Sequence, residues 1–203
     1  VRPIERLYHL AEESNVPSIL KHGLLSTERL LALVGTAEAD RLAFLRRQRP
    51  RGIQLAEGVT IRDQGPMPPS ALAPALDDGL LPGDWYALLN GFVFLWPDRD
   101  RMERQRRACG DRPQVVMTFD AAALFTAFGG EAFLSPFNSG NARRKPARRG
   151  RDTLVPYATW RDDGWPTRAR SHPPAEVLFR CDIPARAPYL LDISASGDQP
   201  AHR

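Results

Sequence analysis

Arg6-Leu7-Tyr8-His9-Leu10, followed by Asn15-Val16-Pro17-Ser18-Ile19-Leu20-Lys21-His22-Gly23-Leu24-Leu25-Ser26, decides how the rest of the chain is read. The first five residues read as a short buried strand. Pro17 suits the first turn of a following helix, Ile19 and Leu20 give that helix an apolar side, and Gly23 suits its C-terminal cap. Strand, helix and return form one compact unit that places a strand-borne histidine one short helix away from a Gly-Leu-Leu turn, an order that suits the handling of a mononucleotide. His9 itself has two readings: a ligand contact, or a core-strand histidine satisfied by a backbone carbonyl.

Three later segments extend the pattern. Pro174-Ala175-Glu176-Val177-Leu178-Phe179-Arg180-Cys181-Asp182-Ile183-Pro184 is an apolar strand bracketed by prolines, with a carboxylate near its start. Such a Glu is either a solvated strand end or a functional group. Asp84-Trp85-Tyr86-Ala87-Leu88-Leu89-Asn90-Gly91-Phe92-Val93-Phe94-Leu95-Trp96-Pro97 reads as a helix that delivers Asn90 and Gly91 to an apolar strand. Leu134-Ser135-Pro136-Phe137-Asn138-Ser139-Gly140 is a polar turn after an apolar run, and Arg143, Arg144, Lys145, Arg148, Arg149 and Arg151 follow it. Asn, Ser and Gly loops offer backbone N–H groups to diphosphate oxygens, and guanidinium forks pair with the same oxygens bidentately. An ordinary helix-to-strand turn and a solvated basic loop are the plainer alternatives.

These residues together resemble the DarT-type ADP-ribosyltransferases and, more distantly, the RNA 2′-phosphotransferases. The Leu-Asn, the Val-Phe-Leu-Trp strand and the Ser-Pro-Phe-Asn-Ser-Gly loop are similar to a divergent bacterial branch of DarT-like proteins. The resemblance implies an α+β fold, an ADP-ribosyltransferase-like split mixed β-sheet core with flanking helices, and NAD as co-substrate. It implies that Glu176 is the catalytic carboxylate, hydrogen-bonding a ribose 2′-hydroxyl and stabilising a cation-like sugar centre. His9 would orient the adenosine-side ribose. Leu10, Ser18, Ser26, Asn90, Asn138, Ser139 and Gly140 would complete the cofactor-binding set. DarT-type enzymes also use an arginine between the first helix and the central strand; Arg62 is the candidate here, with Arg51 behind it. The implied activity is ADP-ribosylation of a nucleic-acid base by a toxin or phage-defence enzyme, with a DNA or RNA acceptor held by Arg143, Arg144, Arg148 and Arg149, and an antitoxin protein as partner. Residues between Leu25 and Asp84 depart from the DarT pattern, and no Arg-His dipeptide supports 2′-phosphotransfer. A non-catalytic NAD- or nucleic-acid-binding module of the same fold is the remaining alternative.

Length and composition bound these expectations. A chain of 203 residues suits one compact domain, expected over 1–193 with a disordered tail over 194–203. No apolar run reaches the roughly 18 residues of a membrane span, and two cysteines are too few for a disulfide framework or a zinc site. Val1-Arg2-Pro3-Ile4-Glu5 does not read as a secretory leader, a processed or trimmed N-terminus being the alternative for a chain that starts without Met. A cytoplasmic, metal-free monomer is the expectation. The net charge is only +4, and nearly all cations are arginines, Lys21 and Lys145 excepted. A GC-rich gene, suggested by the abundance of Ala, Arg, Pro and Gly, is the plainer account of that bias, and selection for phosphate binding the other. The clustering is more informative: 46–51, 99–107 and 143–151 each gather several arginines.

Periodicity and breakers place the remaining elements. Thr27 caps a helical stretch that runs to Arg49 and divides at Gly35; a small strand falls within 58–64; Leu72–Leu81 forms a short helix. Strands are expected at Val93–Trp96, Val115–Phe119, Ala132–Leu134, Thr153–Pro156, Glu176–Arg180 and Ala187–Leu191, and Asp120 caps a helix over Ala121–Phe128.

Overall fold

In the computed structural model, residues 3–143 and 146–195 are described. The expected tail therefore lies outside the described residues from 196 onward, as do Arg144 and Lys145. The opening unit folds as its residues dictate. Strand β1 (Arg6–Glu12) leads into α1 (Val16–His22), with Pro17 in its first turn and Gly23 at its C-cap at φ +87. Helix α2 (Thr27–Leu33) is capped by Ser26, whose Oγ accepts the Arg29 N–H at 3.2 Å; the cap is one residue earlier than the expected Thr27. Helix α3 (Glu38–Leu45) follows, so the predicted stretch does divide at Gly35.

The loop-rich middle holds the hairpin β2 (Ile53–Gln54) and β3 (Thr60–Ile61), then α4 (Pro69–Leu72) and α5 (Pro82–Asn90). The helix expected over Leu72–Leu81 is displaced: the helical turn starts at Pro69 and passes through a 3-10 turn over Ala73–Ala75. Pro74 suits such a short turn but not a long helix. Strand β4 (Val93–Leu95) follows α5, and the arginine-rich segment after it is α6 (Arg99–Ala108), capped by Asp98, which accepts the Arg101 N–H at 2.9 Å. Strand β5 (Gln114–Asp120), the Asp120-capped helix α7 (Ala121–Phe128), β6 (Ala132–Ser135), β7 (Val155–Pro156), α8 (Tyr157–Asp163), β8 (Glu176–Phe179) and β9 (Leu190–Ala195) complete the chain. Strand β9 runs past the expected boundary at Ile193, because Val115 and Val116 of β5 pair with Ala195 and Ser194.

The architecture is α+β. One sheet has the order β1-β5-β9 and a second the order β4-β8-β6-β7. The expected mixed sheet is corrected: every ladder between these strands is antiparallel. The sheets meet at their edge strands β1 and β4, where Tyr8 and Trp96 exchange backbone hydrogen bonds of 2.9 and 2.8 Å. Alternation along the strands then sorts the core. Leu7, Met117 and Phe119 of the first sheet and Val93, Leu95, Val177 and Phe179 of the second bury against α7 and α8 through Leu124 and Trp160. On the reverse face of the second sheet, Leu178 packs with Trp85, Tyr86 and Leu89 of α5. Leu10 and Tyr8 face α6, against Met102.

Gly23 shows how tightly the opening unit is tied to the late strand. Leu24 and Ile183 exchange backbone hydrogen bonds of 2.8 and 3.0 Å, and a Cβ on Gly23 would stand 2.6 Å from the Ile183 carbonyl oxygen. Left-handed backbone and a backbone clash act together, so Gly23→Ala is expected to destabilise by roughly 2 to 4 kcal/mol, measured by urea unfolding. Gly35→Ala, in open space, has only the backbone cost to bear.

Candidate functional site

The Tyr8–Trp96 seam arranges the site. In the β4–β8 ladder Leu95 faces Val177, so one further step sets Trp96 beside Glu176; on the far side Glu176 faces Ser135 of β6. Tyr8, Trp96 and Glu176 thus form a row across three strands, with Tyr8 and Glu176 about 10 Å apart at two strand spacings. Tyr8 and Trp96 are both half-exposed.

Glu176 is only 4% exposed. Its Oε2 accepts the Ser139 N–H at 2.9 Å and the Ser139 Oγ–H at 2.6 Å. Oε1 takes no hydrogen bond from the described residues. Burial pushes the carboxyl pKa up to about 7, against the Ser139 hydrogen bonds and the positive charges of Arg149 and Arg101, which hold it down. A buried acid poised near neutrality suits proton transfer or the stabilisation of a developing cation.

Of its two readings, His9 shows the one in which a backbone carbonyl satisfies the ring. Nδ1 lies 2.9 Å from the Phe94 carbonyl oxygen, which only accepts, so Nδ1 carries the hydrogen. Burial, helped by the charge of Arg62, lowers the imidazole pKa to about 4 despite that hydrogen bond. At neutral pH the ring is uncharged and Nε2 is an acceptor. His9 and Glu176 lie on either flank of β4, linked through Phe94 and Trp96, without touching.

Arg62 belongs to the histidine side. Its Nε is 3.0 Å from Glu12 Oε1, its Nη1 reaches Cys109 Sγ at 3.8 Å, and its Nη2 is buried without a hydrogen-bond partner. The cations that bear on Glu176 are Arg149 and Arg101, so Arg62 and Glu176 are not brought together. Arg51, the reserve candidate, is exposed.

Several of the expected cofactor contacts have structural duties. Leu10 is core, packed on Met102 and Val116. Asn90 is 3% exposed, its amide oxygen accepting from Arg49 Nη2 at 2.9 Å and its amide nitrogen donating to the Leu45 carbonyl at 2.9 Å, so neither end is free for a nucleotide. Ser139 turns its hydroxyl to Glu176. Ser26 caps α2, and with Gly91, Arg29, Arg180 and Asp182 lines a cavity of about 250 Å³. Ser18 on α1, Asn138 and Gly140 are half-buried, the last two flanking Ser139.

The basic run divides in the same way. Arg149 is buried, which corrects its expected contact with nucleic acid; Arg148 is exposed but paired with Asp77; exposed Arg143 donates to the Gly65 carbonyl. Two cations that bear on the named residues do not stand out in the sequence: Arg101 beside Glu176 and Arg49 on Asn90. Arg101 sat within a basic cluster whose helical nature was not recognised, although Asp98 ahead of it is an N-cap signal. Arg49, buried against Asn90 with its pKa lowered by burial to about 10, stands in the 46–51 arginine cluster, where nothing local distinguishes it from its exposed neighbours.

Residues 5–190 match the model of a family of unknown function, DUF7002, and the chain belongs to that family. No curated protein and no solved structure matches it. Among the described residues, no helix is long and apolar enough to cross a membrane.

Glu176 couples stability to pH. Its folded pKa of about 7 lies above the ordinary value of 4.5, so folding favours the protonated acid; that stabilisation is fully present below about pH 4.5 and is lost as pH rises through 7. Glu176→Gln removes the dependence, and relative to wild type it is expected to gain roughly 2 to 3 kcal/mol between pH 4.5 and pH 8. Urea unfolding of both proteins at a series of pH values checks this; parallel curves would contradict the burial of an ionisable Glu176.

Proposed function

We propose that the protein is an NAD-dependent ADP-ribosyltransferase whose acceptor is a nucleic-acid base. The observation that carries the proposal is Glu176: a buried carboxyl with one oxygen held by Ser139 and the other without a hydrogen bond from the described residues, in a row with two half-exposed aromatic rings and two strands from a neutral histidine. Cleavage of the nicotinamide–ribose bond develops positive charge on the sugar. Glu176 Oε1 accepts the ribose 2′-hydroxyl and offsets that charge. A pyridinium ring nearby favours the ionised form of Glu176, so binding of NAD itself would draw the carboxyl toward its working state. Tyr8 and Trp96 offer ring faces for the nicotinamide, and His9 Nε2 accepts from a ribose hydroxyl.

The acceptor contact moves from the 143–149 segment to α6. That helix carries Arg101 toward Glu176 and presents Arg99, Arg104 and Arg107 to solvent. Phosphates of a DNA or RNA strand suit that exposed row.

Incubation with phosphate-labelled NAD and separate DNA, RNA and protein acceptors tests the activity. Wild type is expected to transfer label to an oligonucleotide, and Glu176→Gln to lose at least about 10²-fold of the rate while its melting temperature still rises with NAD. Undiminished transfer by Glu176→Gln would overturn the assignment. Binding and release of NAD without breakdown would favour a non-catalytic module.

The acceptor proposal has its own test. Joint replacement of Arg99, Arg104 and Arg107 by Ala is expected to lower the slope of log affinity against log salt by about 2 for an oligonucleotide, with NAD affinity unchanged. An unchanged slope would remove α6 from the interface.

A further inference from the structure

Arg149 belongs by sequence to the basic run, yet it is 1% exposed, with its guanidinium 5.8 Å from the Trp85 ring centroid and 5.1 Å from that of Phe137. Among the described residues, no carboxylate pairs with it directly. Its donors go to three carbonyls of its own segment, each at 3.0 Å: Nε to Ala147, Nη1 to Ser139 and Nη2 to Asn141. Burying a guanidinium is costly, and here it is offset by fixing backbone, the use for which a planar fork is suited. The Ser139 carbonyl accepts a second hydrogen bond, from Trp85 Nε1 at 3.3 Å. With that carbonyl tied from one side, the N–H and hydroxyl of the same residue are delivered to Glu176 Oε2.

We propose that Arg149 is a positioning residue for Glu176, acting through Ser139: Arg149, Trp85 and the 139–149 loop form a brace that occupies Oε2 and leaves Oε1 as the oxygen that meets the substrate. The last clause rests on the transferase function proposed above; the brace does not. Arg149 and Arg101 are the charges that bear on Glu176, from the loop and from α6. Arg149→Lys keeps a charge at the first of them while losing the three-way fork, and so separates the brace from simple charge proximity.

The test is the titration of the Glu176 carboxyl, followed by ¹³C NMR of glutamate-labelled protein without NAD and assigned by its disappearance in Glu176→Gln. Ser139→Ala, Arg149→Lys and Trp85→Phe are each expected to raise the midpoint above that of wild type, Ser139→Ala by about one pH unit and the other two by about half. In the transfer assay the acid limb of the pH–rate profile is expected to move by the same amount, with the KM for NAD within about twofold of wild type. Folded Arg149→Lys and Trp85→Phe proteins that titrate like wild type would overturn the proposal. If Arg149→Lys does not fold, Trp85→Phe decides, since it keeps an aromatic six-membered ring and removes the five-membered ring with the N–H that ties the Ser139 carbonyl. Should wild type transfer no label while the midpoints move as expected, the brace stands and the transferase function falls.

Discussion

Two backbone hydrogen bonds between Tyr8 and Trp96 hold together sheets that otherwise diverge. Each sheet ends at this line in an edge strand, β1 or β4, and an unpaired edge leaves N–H and C=O groups without partners. The seam satisfies two of each and then opens. Where the next backbone bond would fall, the His9 ring takes the Phe94 carbonyl instead. A histidine at the end of such a seam is fixed in tautomer by the contact that completes the strand edge, while burial keeps its ring uncharged against that same hydrogen bond.

The second constraint is the placement of an ionisable group at the start of a buried strand. Val177 and Phe179 face the main core and Leu178 the cluster beneath α5, so Glu176 is drawn inward by neighbours that all exclude water. Desolvation alone would favour a neutral acid. Ser139 and the charges of Arg149 and Arg101 oppose it, and the balance falls near neutral pH, where small changes in the surroundings alter the protonation state. The loop that supplies Ser139 is held in turn by a buried guanidinium between aromatic rings. The same residue whose carbonyl is tied by Arg149 and Trp85 supplies both donors to Glu176 Oε2.

The sequence revealed most where period, breaker and cap agreed. Pro17 and Gly23 bound α1, Asp120 starts α7, and the apolar runs of β4, β5, β6 and β8 lie where they were expected, because each is specified by its own residues. Helix α6 was missed because ten residues rich in arginine show little apolar periodicity; only Met102 is buried on it. Strand β9 was placed too early because Pro188 and Tyr189 precede it, and only pairing with β5 decides where it begins. The site was legible as residue types but not as partnerships. His9 and Glu176 stood out, whereas Asn90 and Ser139 looked like ligand contacts. Their hydrogen-bonding groups are committed to Arg49 and Glu176, partners 41 and 37 residues away, and no local pattern encodes such pairings. Arg149 misled for the converse reason: a cation in a basic run looks solvated until the aromatic rings that enclose it are brought in by the fold.

A crystal structure with a non-hydrolysable NAD analogue would test the role of Glu176 most directly. The nicotinamide-side ribose 2′-hydroxyl is expected within hydrogen-bond distance of Glu176 Oε1, with Oε2 still held by Ser139 and the nicotinamide against Tyr8 or Trp96. An analogue bound instead in the cavity lined by Phe125, Tyr157 and Trp160, where α7 and α8 cover the opposite face of the second sheet, would contradict it.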